Sequence, residues 1–82
     1  MNVNMIKDPY IRSFVEKLNE WGRNEDLCDI VIDVYTTALI SEDWSEDEIL
    51  SLLEQTLSYF KKGMIYERLS YNIMAIKVNG GY

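Results

Sequence analysis

Eighty-two residues, 48% hydrophobic and 27% charged, suit one small packed domain and exclude both a disordered tail and a chain with separate substrate and cofactor domains. Eight Lys and Arg stand against fourteen Asp and Glu, a net charge of −6 with no histidine. That balance argues against general binding of nucleic acid or anionic membrane and points toward a neutral or basic partner.

Cys28 is the only cysteine, so no internal disulfide is expected. Met1 to Lys7 does not read as a signal segment, and no run approaches the roughly 18 apolar residues of a spanning helix. The expected setting is the reducing cytoplasm.

Asp8-Pro9 opens the first helix, because Asp8 can accept from first-turn amides and proline needs none there. Ile11, Phe14, Val15, Leu18 and Trp21 make one core stripe, and Gly22 offers a left-handed stop. Asn24 caps the second helix. From Leu27 to Ile40 the chain is apolar nearly all round, with Asp29, Asp33, Thr36 and Thr37 as a narrow polar stripe, which predicts the central member of a bundle. A buried strand is the competing reading, since Ile30-Val31-Ile32 is β-branched throughout. Length and polar spacing favour helix.

Ser45-x-x-Glu48 is a capping box, with Trp44 placed to staple onto Ile49. The third helix should bury Ile49, Leu50, Leu53, Leu57 and Phe60, carry Lys61 and Lys62 at its negative end, and stop at Gly63. Leu52 and Tyr59 are either a second buried seam or a contact patch. Ile65, Leu69, Ile73 and Ile76 predict a fourth helix closed by Asn79-Gly80-Gly81. The alternative there is a strand paired with Val3 to Lys7. The expected fold is therefore all-α, a bundle of three to four short, mostly antiparallel helices at about 9–21, 25–40, 46–62 and 64–78. It forms one domain, 1–82, with 1–7 a candidate extended segment.

Without histidine there is no imidazole base for a nucleophile, and Cys28, set in an apolar stretch, reads as a small core residue. Ser58-x-x-Lys61 lacks the companion motifs of the serine β-lactamases. No Asp-Ser pair marks an acyl-carrier attachment site. Zinc and the softer metals lack ligands, and Glu42 to Glu48 lacks the spacing and glycine of a calcium loop. We expect no catalytic residue, no cofactor and no metal, and hence no enzyme.

The distribution of charge says more than its total. Residues 1–24 sum to +1 and residues 55–82 to +3, while residues 25–54 hold ten acids and no base. Helix-end electrostatics account for Glu25, Asp26, Glu46, Asp47 and Glu48. They do not account for Glu42, Asp43, Asp29 or Asp33. An aromatic among charges is common interface anatomy, so the candidate partner-binding residues are Glu42, Asp43, Trp44, Glu46 and Asp47, with Asp29 and Asp33.

The expected function is stoichiometric binding of a protein with a basic surface, inhibiting or regulating a nucleic-acid-handling protein without touching nucleic acid or membrane. Phage anti-restriction and anti-CRISPR proteins, uracil-glycosylase inhibitors and nuclease immunity proteins act in this way. The likeness is one of size, charge and helix content, and no motif of those families occurs. The rival expectation is a structural or homo-oligomeric module that meets its own copy through apolar residues such as Leu52, Tyr59 and Tyr66, with Tyr71 and Met74.

Overall fold

The computed structural model describes residues 7–79. Among them are four helices and no strand: α1 (Pro9–Trp21), α2 (Glu25–Ser41), α3 (Glu46–Leu57) and α4 (Met64–Asn79). The all-α expectation holds, and residues 72–78 are helical. Residues 1–6 of the candidate extended segment 1–7, and the Gly80-Gly81 stop, lie outside the described residues.

The starts of the first three helices follow local chemistry. The Tyr10 and Ile11 amides donate to Asp8 Oδ1 at 2.9 and 3.1 Å, with Pro9 at the first helical position. Asn24 Oδ1 accepts from the Asp26 amide at 2.8 Å. The capping box is complete: the Glu48 amide donates to Ser45 Oγ at 3.2 Å, and the Ser45 amide donates to Glu48 Oε1 at 3.1 Å. Each cap satisfies amides that the helix itself leaves without acceptors.

One core joins the helices. Phe14 and Leu18 of α1, Leu53 of α3 and Leu69 of α4 are fully buried, with Ile32 and Leu39 of α2 beside them. Burying each such side chain stabilises the fold by about 1.5–3 kcal/mol before ordering costs. Thr36 and Thr56 are buried too, and their hydroxyls donate to the carbonyls of Ile32 and Leu52, both at 2.8 Å. Tyr35 stacks on Phe14 with ring centroids 4.3 Å apart, and its hydroxyl lies 2.7 Å from Ser13 Oγ. This contact ties α1 to α2.

The bundle has two chemically different ends. At one, the starts of α1 and α3 meet the end of α2, so Asp8, Trp44 and Asp47 share a cleft. At the other, Gly22, Arg23, Lys62 and Ile65 come together. α2 and α4 begin at this second end, where Arg68 pairs with Glu25. Lys77 pairs with Glu54 at 2.7 Å.

Four expectations are corrected. Trp21 is 48% exposed, because it sits off the centre of the buried stripe in the last position of α1. Gly22 is not left-handed, with φ −87°; glycine is needed because a Cβ there would come within 2.6 Å of the Leu18 carbonyl oxygen. α3 ends at Leu57, not 62. Ser58 Oγ donates to the Gln55 carbonyl at 2.6 Å, and the Tyr59 and Phe60 amides turn back to Thr56 and Leu57. These tighter bonds close the helix early. Lys61 and Lys62 therefore lie in the following loop, with Phe60 folded half-buried against the core and Gly63, φ +104°, leading into α4. Lastly, α2 is not a central helix. It buries the stripe Cys28, Ile32, Thr36 and Leu39 and leaves Leu27, Ile30, Val34 and Ile40 exposed, because the other three helices cover only part of its circumference.

Gly22→Ala should lower the unfolding free energy by about 1–3 kcal/mol, the cost of forcing a methyl into close-packed backbone. Chemical denaturation measures it, and an unchanged midpoint would refute the close-approach account.

Candidate functional site

The site is built from the reversal between α2 and α3. The Trp44 amide donates to the Leu39 carbonyl and the Asp43 amide to the Ile40 carbonyl, both at 3.1 Å. This six-to-one and five-to-two pattern is a Schellman closure. It puts Asp43 at φ 61°, where glycine is the usual occupant. The same closure presents Trp44 to the core, where it packs half-buried.

Tyr10 of α1 meets the Trp44 ring edge-on, with centroids 5.4 Å apart and planes at 68°. The Tyr10 hydroxyl also makes a long 3.4 Å bond to Glu42 Oε2. Around this pair lies an open cleft of about 310 Å³ lined by Asp8, Ile11, Trp44, Asp47, Glu48, Ser51, Leu52 and Gln55. Its floor is apolar and its rim is carboxylate. Among the described residues none of Asp8, Glu42, Asp43, Glu46, Asp47 or Glu48 enters an ion pair. Lys7 and Arg12 lie nearby in sequence and pair with none of them.

Glu48 is held below the usual carboxylate range, first by the Ser45 backbone amide and then by the Ser45 side chain. Cys28 moves the other way. Burial, and then the charge on Asp29, push its thiol up, so it stays protonated and behaves as an apolar filler.

Of the residues the sequence suggested, Trp44 and Asp47 line the cleft and Glu42 reaches it through Tyr10, while Asp43 and Glu46 flank Trp44 in the chain; Asp8 and Tyr10 join them from α1 and its cap. It does not bring Asp29 and Asp33 to them. Those two line a separate groove of about 280 Å³ between α2 and α4, with Ile32, Arg68, Tyr71 and Asn72. Along α2, Asp33 and Glu42 are nine residues apart, about 13 Å, so the acids form two patches. Among the described residues no three Asp, Glu or Cys converge as metal ligands would.

The expected apolar contact set is also revised. Leu52 is 5% exposed and belongs to the core, whereas Tyr59 and Tyr66 reach the surface. Sequence reasoning missed Tyr10, which lies off the buried stripe of α1 and 34 positions from Trp44. The exposed row on α2 was hidden because an apolar residue reads as core whether or not a neighbour covers it.

Comparison with protein-family models, with curated proteins and with solved structures gives no match. Among the described residues no helix is long and apolar enough to cross a membrane.

Two outcomes check the local physics. Asp43→Gly should stabilise the fold by about 0.5–1 kcal/mol, since relief of a left-handed L-residue exceeds the added chain entropy of glycine; a lower denaturation midpoint would contradict it. Because the folded carboxyl of Glu48 is depressed, its contribution is full above the unfolded value near 4.3 and is lost as pH falls through the folded value. The midpoint difference between wild type and Glu48→Ala should therefore be larger at pH 6 than at pH 3. A gap independent of pH would remove the charge from this account.

Proposed function

We propose that the chain is a stoichiometric protein-binding module that receives a basic surface on the acidic end centred on Trp44, and so inhibits or regulates a nucleic-acid-handling protein. One observation carries this reading. Among the described residues six carboxylates without ion pairs belong to the end of the bundle where exposed Tyr10 meets half-buried Trp44: Asp8, Asp47 and Glu48 line the cleft, Glu42 accepts from Tyr10, and Asp43 and Glu46 flank Trp44 in the chain, with Asp43 held where glycine would fit with less strain. Glu42 and Asp43 follow the last turn of α2, the negative end of its dipole, where acids are unfavourable. A folding role does not explain them, whereas a basic partner relieves both their mutual repulsion and their position. Lys and Arg groups that grip phosphates present the complementary charge. Trp44 supplies an aromatic centre of the kind that dominates interface energetics.

A homo-oligomeric module is the second reading, favoured by the outer face of α4, where Tyr71, Met74 and Val78 are 72%, 63% and 77% exposed. It predicts a mass that rises with concentration and ignores salt.

The test is affinity capture from the source cell followed by titration of the recovered partner. Affinity should fall steeply between about 50 and 500 mM salt. Combined Glu42→Gln, Asp43→Asn, Glu46→Gln and Asp47→Asn should weaken binding at least tenfold at the lower salt. Affinity flat with salt, or unchanged in the combined variant, would dismiss the acidic end as the contact.

A further inference from the structure

Neither the core nor the Trp44 cleft uses the outer face of α2. Leu27, Ile30 and Val34 stand at i, i+3 and i+7 and are 42%, 56% and 60% exposed, so they make one apolar row along the helix. Asp26, Asp29 and Asp33 precede them by one residue each. An acid row therefore runs beside the apolar row, about 100° further round. Among the described residues none of these three acids is in an ion pair, and α2 contains no base.

We propose that this face docks an amphipathic helix of a partner protein, its apolar stripe bordered by Lys or Arg. Charge complementarity selects this occupant. A second copy laid along the same face would bring acid row to acid row between two chains of net charge −6, whereas a basic-rimmed helix covers Leu27, Ile30 and Val34 and neutralises the acids together. The groove between α2 and α4 gives a cationic head a place to end: Asp29 and Asp33 form one wall and the exposed ring of Tyr71 part of the other, a setting that favours cations through both charge and ring quadrupole. Arg68 in that groove is drawn off by Glu25. Helix-in-groove recognition of this kind reads anchors at i, i+3 and i+7, and the 17 residues of α2 offer about 25 Å of length.

The probe is a synthetic 18-residue peptide with a Leu stripe flanked by Lys, set against a scrambled peptide of identical composition. The amphipathic peptide should bind at least tenfold more tightly and shift the backbone amide resonances of residues 27–34. Ile30→Asn with Val34→Asn, and separately Asp29→Asn with Asp33→Asn, should each weaken it at least fivefold while helix content stays unchanged. Glu46→Gln with Asp47→Asn should not, which separates this face from the site under Proposed function. Equal affinity for the scrambled peptide, shifts confined to residues 42–48, or a concentration-dependent dimer abolished by the Ile30/Val34 pair would each overturn the proposal. Should that pair disturb the helix, the Asp29/Asp33 pair and the resonance map decide alone.

Discussion

Four residues, Glu42 to Ser45, have to end one helix and begin another, and the bond from the Trp44 amide to the Leu39 carbonyl lets so short a segment do both. The closure demands a left-handed residue one position earlier, which is why Asp43 carries φ 61°. It presents the next residue to the core, which is why an indole stands there. Ser45 is then in place to cap α3. Tyr10 at the start of α1 leans on the indole, so the meeting of α1, α2 and α3 at this end depends on one tight turn.

The electrostatics of that end follow from which termini it collects. The starts of α1 and α3 present the positive ends of two dipoles, and Asp8, Glu46, Asp47 and Glu48 are favourably placed there. Carboxylates can therefore crowd together without cations. The end of α2 contributes the opposite field. Among the described residues, the side chains of Glu42 and Asp43 face it with only the long Tyr10 hydroxyl bond to Glu42 in return. The acids of this cluster thus divide into those that helix-end electrostatics account for and two that they do not.

Features set by neighbours in sequence are legible in the sequence itself. Asp8-Pro9, Asn24 and the Ser45/Glu48 box place three helix starts because capping is a contact over two or three residues. The end of α3 was misread because the hydroxyl of Ser58 and two short-range amide bonds override a hydrophobic period that continues to Phe60. The role of α2 was misread for a different reason: periodicity reports which residues could be buried, while the number of available neighbours decides which are. The candidate site was half legible. Its acids and Trp44 are contiguous in sequence, but Tyr10 reaches them only through tertiary packing, and Asp29 and Asp33 leave them because a straight helix keeps positions nine and more residues apart at a distance.

The same limit on neighbours links the fold to its surface chemistry. Four helices of 12 to 17 residues enclose one core, and an α2 that is apolar on more than one side must show some of that surface to water. Exposed apolar rows promote indiscriminate association, and an acid row directly beside one opposes the pairing of two copies through this same face, because it brings like charges together. A cationic surface meets no such barrier. In the docking proposed above, the acids of α2 would therefore act in two directions at once, disfavouring face-to-face pairing of identical chains and admitting a basic helix.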